Sequence, residues 1–203
     1  SGIADADGLG AFSYQWLRGG APIAGATGST YTLVDVDVGA LISVRVDYTD
    51  QQGTAESLTS AQTTAVLNVN DAPTGLPTIS GSVVEDQTLT ADTSGIADAD
   101  GLGAFSYQWL RGGAPIAGAT SSTYTLDNAD VGALISVRVD YTDQQGTAES
   151  LTSAQTAAVV NINDAPTGLP TISGSAMEDQ TLTADTSGIA DADGLGAFSY
   201  QWL

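Results

Sequence analysis

The chain of 203 residues contains no Cys, no His and no Lys, and four arginines face 24 acidic residues, which gives a formal net charge of −20. Without Cys there can be no disulfide bond and no thiolate metal ligand. Without His or Lys there can be no Ser-His-Asp triad, no histidine-ligated zinc, no Schiff base and no phosphate-loop lysine. We therefore expect a protein that is not an enzyme.

Long apolar runs are also missing: no stretch approaches the roughly 18 apolar residues that a membrane span requires. The strong negative charge repels the phosphates of nucleic acids and of anionic lipids. We expect neither a nucleic-acid partner nor insertion into a membrane. Hydrophobic residues still make up 42% of the chain, which is enough to build a folded core.

What the chain does have is a repeat. The segment SGIADADGLGAFSYQWL begins at Ser1, at Ser94 and at Ser187, so the period is 93 residues. Residues 1–93 and 94–186 differ at nine positions (28, 34, 35, 36, 64, 67, 69, 83 and 84), so 84 of 93 are identical. Repetition of this kind argues against a unique active site, because any site in one repeat is duplicated in the next.

Alternation of apolar and polar residues predicts β-strands throughout the repeat. One face of the strongest strand carries four apolar side chains, those of Ile135, Val137, Val139 and Tyr141. Other alternations predict strands at Ile79, at Leu89 with Ala91, at Phe105, Tyr107 and Trp109, at Tyr124 with Leu126, and at Ala158, Val160 and Ile162 facing inward. Residues 143–146 read as a hairpin turn. No helical period is present, so we predict an all-β, two-sheet β-sandwich without a disulfide.

Domain boundaries are predicted in the segments 68–77 and 161–170, each of which combines polar residues with two prolines. Residues 73–164 then form one complete domain. Residues 1–72 form a partial domain that lacks its first two strands, and residues 165–203 supply only the first strands of another. One interpretation is a segment of a longer tandem array. The alternative is head-to-tail assembly, in which residues 165–203 of one molecule supply the strands that residues 1–72 of the next lack.

Residues 107–141 resemble bacterial immunoglobulin-like domains. Trp109 stands where those domains carry the core tryptophan of strand C, residues 130–132 resemble the turn before strand F, and Val137 occupies the place of the second cysteine in disulfide-bonded members. The resemblance implies tandem immunoglobulin-like domains with Greek-key topology, repeating every 93 residues.

The acidic positions resemble a cadherin repeat. The segment NINDAP at residues 161–166 is similar to the cadherin linker, the segment ADADG at residues 97–101 resembles the D-x-D loop, Asp143 resembles the acidic residue near the end of strand F, and Glu85 resembles the basal glutamate of strand A. Cadherins bind Ca²⁺ with such groups at the junction of two neighbouring domains, so the resemblance implies a Ca²⁺ site at each junction.

The chemistry of the chain agrees with that implication, because Ca²⁺ takes six to eight oxygen ligands and the chain offers no soft ones. A solvated turn is the alternative interpretation of the D-A-D-G segment, and Asp127, Asp130 and Asp140 are expected on a solvated face. The candidate ligands are Asp5, Asp7, Asp50, Asn70, Asp71, Glu85, Asp98, Asp100, Asp143, Asn163, Asp164, Glu178, Asp191 and Asp193.

The repeat and its resemblances predict that the protein acts through its length and not through catalysis. They indicate a structural spacer, secreted and exposed at the bacterial cell surface, similar to the extender of a large adhesin of the repeats-in-toxin type and stiffened by Ca²⁺ between neighbouring repeats. A second hypothesis is an extracellular filament or matrix formed by head-to-tail self-association. A third is carbohydrate binding or hydrolysis by the paired carboxylates of Asp98 and Asp100.

Overall fold

The computed structural model describes residues 2–203, and within these residues the regular structure is β-strand with two single 3₁₀ turns, Asp35–Asp37 and Asn128–Asp130. The chain divides into two compact units. The first holds the residues up to Pro73 together with Asp98–Leu102 and Asp143–Thr147, and the second holds the rest. No helix in the described part of the chain has the length and apolar character needed to cross a membrane.

The first unit contains one antiparallel sheet in the order β2-β1-β3-β4. The strands are β1 Ser13–Arg18, β2 Ala21–Pro22, β3 Ile42–Thr49 and β4 Ala55–Thr59. Tyr14 pairs with Val46 and Trp16 with Val44, so the alternating apolar residues of β1 and β3 lie opposite one another.

The second unit contains two antiparallel sheets and a separate hairpin. The strands are β5 Thr78–Ser80, β6 Thr88–Asp92, β7 Ser106–Arg111, β8 Ala114–Pro115, β9 Thr123–Thr125, β10 Ile135–Thr142, β11 Ala148–Thr152, β12 Thr171–Ser173 and β13 Thr183–Asp185. One sheet has the order β11-β10-β7-β8, the other has the order β5-β6-β9, and β12 pairs with β13. The all-β prediction is therefore confirmed, and the arrangement is that of a β-sandwich.

The core of the second unit gathers apolar side chains from both sheets. Trp109 and Val137 of one sheet and Leu89 of the other are each 0% exposed, and Leu126 is 1% exposed. The indole N–H of Trp109 donates to the carbonyl of Ser121 at 2.9 Å, so its one polar atom is satisfied inside the core. The predicted inward face of β10 and the hairpin turn at residues 143–146 are likewise confirmed.

The predicted inward face of the last strand is wrong. Val159 is buried, at 3% exposed, whereas Val160 and Ile162 are 58% and 42% exposed. Strand β11 ends at Thr152, and the irregular residues that follow shift the alternation by one position. Val159 forms a β-bridge with Val131, and Val160 forms one with Val84. Two consecutive residues therefore pair with different segments of the chain.

The predicted solvation of Asp130 is also wrong, because its side chain is 0% exposed. Its carboxylate accepts hydrogen bonds from Arg111 Nε at 2.6 Å, from the Tyr124 hydroxyl at 2.7 Å and from the Asp127 N–H at 2.9 Å. Burial raises the pKa of Asp130, but these donors outweigh it and hold the pKa below its usual value. Asp37 makes the same contacts with Arg18 and Tyr31 in the first unit, so both aspartates are structural.

Candidate metal centre

The D-A-D-G loop adopts the same conformation each time it occurs. In the central copy the Asp100 N–H donates to Asp98 Oδ1 at 2.9 Å. The bonds from Asp7 to Asp5 and from Asp193 to Asp191 are also 2.9 Å long. Gly101 has φ +87°, in the left-handed region that favours glycine, and a Cβ there would lie 2.7 Å from Gln144 Cδ. The short-range sequence therefore dictates this loop, and it holds two carboxylates close together.

The predicted linker lies against the second aspartate of this loop. The N–H of Asp71 donates to Asp100 Oδ2 at 2.8 Å, and the N–H of Asp164 donates to Asp193 Oδ2 at 2.7 Å. The same contact therefore forms twice, once in each compact unit. Since the two aspartates of each pair are 29 residues apart, the contact brings the acidic linker to the acidic loop of the repeat that follows it.

Three carboxylates meet in the second unit, those of Glu85, Asp164 and Asp193. One oxygen from each lies within 4.8 Å of the others. Two oxygens that ligate one Ca²⁺ at about 2.4 Å can be at most about 4.8 Å apart, so one ion can touch all three groups. The spacing therefore fits a shared hard cation.

Glu85 is the buried member of this cluster, at 1% exposed. Its Oε2 accepts the N–H of Ile162 at 3.0 Å. Its Oε1 is buried and makes no hydrogen bond among residues 2–203. An uncompensated buried carboxylate oxygen is costly, and two further carboxylates nearby raise the cost. A cation bound beside Oε1 removes both penalties, which makes Glu85 the strongest single indication of a ligand.

Asp143 carries a second orphaned oxygen in the first unit. The residue is 5% exposed, and its Oδ1 accepts the N–H groups of Gln145 and Thr147 at 2.8 Å each, whereas Oδ2 is buried without a partner in the described chain. Burial raises the pKa of Asp143, but the backbone donors outweigh it, so the pKa lies below its usual value. The Gln144 N–H donates to the Asp100 carbonyl at 3.2 Å, which fixes this turn beside the D-A-D-G loop.

The other predicted ligands divide into two groups. Asp50 repeats the turn of Asp143, accepting the N–H of Thr54 at 2.7 Å, and it lies beside Asp7 through the bond from the Gln51 N–H to the Asp7 carbonyl. Asn70, Asn163 and Glu178 are exposed. Glu178 belongs to no acidic cluster in the described residues.

Two polar contacts at the site lie outside the predicted set. Asn128 Nδ2 donates to Asp164 Oδ2 at 3.0 Å, and the Tyr48 hydroxyl donates to Asp5 Oδ2 at 2.7 Å. The only sign of Asn128 in the sequence is that it is one of the nine positions at which the repeats differ, since the first repeat has Asp35 there. Asp35 and Asp71 line the same groove in the first unit. The first unit therefore has a carboxylate where the second has an amide.

No protein-family model matches this chain, and no curated protein matches it either. The resemblances to immunoglobulin-like and cadherin repeats therefore rest on the residues and contacts of this chain alone.

Proposed function

We propose that this chain is a structural spacer built of tandem immunoglobulin-like repeats, in which Ca²⁺ bound at successive junctions turns flexible links into stiff ones. Its place is the extender region of a secreted bacterial surface adhesin, where its job is length. The predicted junctions carry oxygen ligands and no catalytic machinery, which favours this function over carbohydrate hydrolysis.

The strand order supports an immunoglobulin-like reading of residues 73–164. Strands β5, β6 and β9 make one sheet and β7, β8, β10 and β11 make the other. With the strands lettered in chain order, these are the A-B-E and C-C′-F-G groupings of immunoglobulin domains. Trp109 on β7 then occupies the position of the core tryptophan, as the resemblance implies.

The choice of Ca²⁺ follows from the donors. Every candidate ligand offers oxygen. The buried oxygens of Glu85 and Asp143 that have no hydrogen-bond partner destabilise the fold most when no cation is bound. Mg²⁺ requires a near-ideal octahedron and gives up water reluctantly, whereas Ca²⁺ accepts irregular sets of carboxylate and carbonyl oxygens. Ca²⁺ is also abundant outside cells, where an adhesin works.

The free energy expected from Ca²⁺ binding is of the size needed to order a flexible linker. Extracellular modules bind Ca²⁺ with dissociation constants of about 10⁻⁴–10⁻³ M. At free Ca²⁺ tenfold above that constant, each ion stabilises its site by about 1.4 kcal/mol. This is modest beside the stability of a domain but sufficient to hold the linker at Asp164 against the loop at Asp193. Without the ion, the clustered carboxylates repel one another and favour an open linker.

The single observation that carries the proposal is the buried, unpartnered Oε1 of Glu85 inside the cluster. Glu85→Gln tests it, because the amide keeps the shape of the side chain and removes its charge. In EDTA, the Glu85→Gln chain should melt at a higher temperature than the original, since an unpaired buried charge is gone. In Ca²⁺, the order should reverse, since the variant cannot use the ion. A merely structural glutamate would show no such reversal.

Small-angle scattering then tests the spacer function. The maximum dimension of the original chain should increase and its flexibility should fall when EDTA is replaced by Ca²⁺, and Glu85→Gln should weaken this response. Glu56→Gln is the matched control, because Glu56 lies on β4 outside the acidic clusters. Identical scattering with and without Ca²⁺ would reject the proposal.

A further inference from the structure

The backbone of the acidic linker is bonded to the complete repeat as far as Ile162. The N–H of Glu85 donates to the carbonyl of Val160 at 2.9 Å, and the N–H of Val160 donates to the carbonyl of Val83 at 3.0 Å. The N–H of Ile162 then donates to Glu85 Oε2 at 3.0 Å. These bonds form a short ladder, so residues 160–162 and the glutamate of the acidic cluster belong to one body, the complete repeat.

The same linker is bonded to the following repeat from Thr167 onward. Thr167 and Ala190 exchange both backbone hydrogen bonds, at 2.7 and 3.0 Å, and the Thr167 hydroxyl donates to the Ala190 carbonyl at 3.2 Å. Gly168 has φ +79°, and a Cβ there would overlap the carbonyl of Gly188, so the two backbones pack in direct contact. We call these four residues, Thr167, Gly168, Gly188 and Ala190, the clamp.

The clamp geometry occurs twice in the chain. Thr74 and Ala97 exchange backbone hydrogen bonds of 2.7 and 2.9 Å. Gly75 has φ +78°, and a Cβ there would overlap the carbonyl of Gly95. Because the same contacts form at the start of the complete repeat, the clamp is a property of the repeat itself.

The clamp lies at equal distances along the chain from two of the clustered carboxylates. Asp164 comes three residues before Thr167, and Asp193 comes three residues after Ala190. The Asp164 N–H donates to Asp193 Oδ2 at 2.7 Å, which closes a ring formed by residues 164–167 and 190–193. Connections at both ends of so small a ring hold the two aspartates together as a pair.

We propose that Thr167 and Gly168 are positioning residues for the cation, because the clamp carries Asp164 and Asp193 together on the following repeat before any ion is bound. This inference rests on the proposed function of Ca²⁺. Glu85 belongs to the complete repeat, so the three ligands divide into a preassembled pair and a single buried glutamate. The junction closes when the ion joins the pair to the glutamate.

Asn163 is the hinge in this arrangement. It lies between Ile162, which is bonded to the complete repeat, and Asp164, which the clamp holds. It is exposed, and its Nδ2 donates to the carbonyl of the next residue at 2.9 Å. Asn128 Nδ2 reaches Asp164 Oδ2 from the complete repeat at 3.0 Å, but this bond joins exposed side chains and breaks when the hinge opens.

Preassembly of the pair determines how tightly the site binds. Two neighbouring carboxylates repel one another, and the backbone bonds of the clamp offset that repulsion before the ion arrives. A set of ligands ordered in advance binds more tightly than one that is ordered at the moment of binding. If loss of the clamp leaves the pair assembled in about one molecule in ten, the apparent dissociation constant for Ca²⁺ rises about tenfold.

Two insertions of one glycine test which repeat carries Asp164. A glycine between residues 163 and 164 lengthens the hinge and leaves the ring intact. A glycine between residues 165 and 166 lengthens the ring and moves Asp164 away from Asp193. Both insertions add the same residue to the same linker without changing its charge, so each is the control for the other.

Hydrogen exchange of the full chain in EDTA, followed residue by residue by NMR, measures the result. The Asp164 N–H should be protected in the original chain, should stay protected after the first insertion and should lose its protection after the second. Protection lost after the first insertion, or kept after the second, would overturn the proposal. So would an Asp164 N–H that is unprotected in the original chain.

Ca²⁺ affinity tests the positioning role. The binding heat that Glu85→Gln removes from the full chain identifies the site. Gly168→Ala should raise the dissociation constant of that site about tenfold, because the added methyl group meets the Gly188 carbonyl. Gly118→Ala is the matched control, since Gly118 has a similar φ of +76° but open space where its Cβ would lie. This control should leave the dissociation constant unchanged.

Thr167 provides a second pair of variants. Thr167→Pro removes the N–H that donates to the Ala190 carbonyl at 2.7 Å, so it should weaken Ca²⁺ binding as Gly168→Ala does. Thr167→Ser keeps both the N–H and the hydroxyl, so it should bind Ca²⁺ as the original chain does. Neither variant should change the unfolding of the complete repeat in EDTA, which a general loss of stability would change.

The two kinds of experiment separate this inference from the proposed function. If the original chain binds no Ca²⁺ but the insertions act as expected, the function of the ion fails and the joint placement of Asp164 and Asp193 stands. If the chain binds Ca²⁺ and both Gly168→Ala and Thr167→Pro bind it as tightly, the positioning role is overturned and the spacer function stands.

Discussion

The backbone N–H of Asp164 donates to Oδ2 of Asp193 at 2.7 Å, which draws the linker onto a carboxylate that belongs to the acidic cluster. This one bond has two consequences. It places a third carboxylate, that of Asp164, beside those of Asp193 and Glu85, and it leaves the other oxygen of Asp193 available to a ligand. The linker is therefore ordered by the same group that would bind the cation.

Asp193→Asn should weaken the Ca²⁺ response without releasing the linker. The amide oxygen can still accept the Asp164 N–H, but one of three charges is gone. We expect the Ca²⁺-induced rise in melting temperature, about 5–10 °C for the original chain, to fall to less than half. Calorimetry in Ca²⁺ and in EDTA measures it.

Asp92→Asn is the control for that experiment. Asp92 also accepts a backbone N–H two residues ahead, from Ser94 at 2.9 Å, but it lies outside the acidic clusters of the described residues. Its replacement should leave the Ca²⁺ response intact. Equal losses in both variants would mean that the response reflects the total charge of the chain rather than a site.

Asn128→Asp should make the second unit more dependent on Ca²⁺. Asn128 Nδ2 lies 3.0 Å from Asp164 Oδ2, and a carboxylate there turns a hydrogen bond into repulsion. We expect a lower melting temperature in EDTA and a larger gain on adding Ca²⁺, because the ion offsets the added charge.

Asn128→Ala separates the two effects, because it removes the hydrogen bond without adding charge. It should lower the melting temperature by a similar amount in EDTA and in Ca²⁺. If Asn128→Asp behaves like Asn128→Ala in both conditions, no cation senses position 128.

Asp130 makes the stability of the second unit depend on acid pH. Its pKa is lowered from 3.8 in the folded protein, so its contribution is fully present above the unfolded value and is lost as the pH falls through the folded value. Asp130→Asn should destabilise the unit by about 3 kcal/mol at pH 7, near the low end for a broken buried ion pair, since the Arg111 side chain stays 32% exposed.

The difference between Asp130→Asn and the original chain should shrink as the pH falls below 3.8, because Asp130 of the unfolded chain then takes up a proton that the folded protein, with its lowered pKa, still excludes. Urea unfolding at a series of pH values measures this difference. A difference that stays constant down to pH 2 would show that Asp130 acts through shape rather than charge.

The fold was predictable where the signal was local. The alternation in β10 placed Val137 and Tyr141 in the core correctly, and the turn at residues 143–146 followed from its residue types. The inward face near Val159 was not predictable, because an irregular segment shifts the alternation. Asp130 was misread because the sequence does not show that Arg111, 19 residues away, reaches its carboxylate.

The candidate site was predictable as a set of positions but not as an assembly. The linker and loop motifs indicated Asp164 and Asp193, and Glu85 was chosen by resemblance. Glu85 is buried with an unpartnered oxygen because of the way it packs against the linker. No short sequence motif encodes this tertiary packing. The contact of Asn128 with Asp164 also arises from tertiary structure alone.

The two near-identical repeats allow a matched test of core burial within one chain. Trp109 is 0% exposed beneath the hairpin β5–β6, whereas its counterpart Trp16 lines an open groove. Trp109→Ala should therefore destabilise its unit by about 3–5 kcal/mol. Trp16→Ala should cost clearly less, because fewer neighbours are lost when the ring is already partly solvated.

Chemical unfolding, monitored by hydrogen exchange in each of the two units, measures the destabilisation caused by each substitution. The indole N–H groups are equally satisfied, since Trp16 donates to the Gly28 carbonyl at 3.0 Å and Trp109 to Ser121 at 2.9 Å, so hydrogen bonding does not account for a difference. Equal costs for the two substitutions would mean that the hairpin β5–β6 does not determine the burial of Trp109.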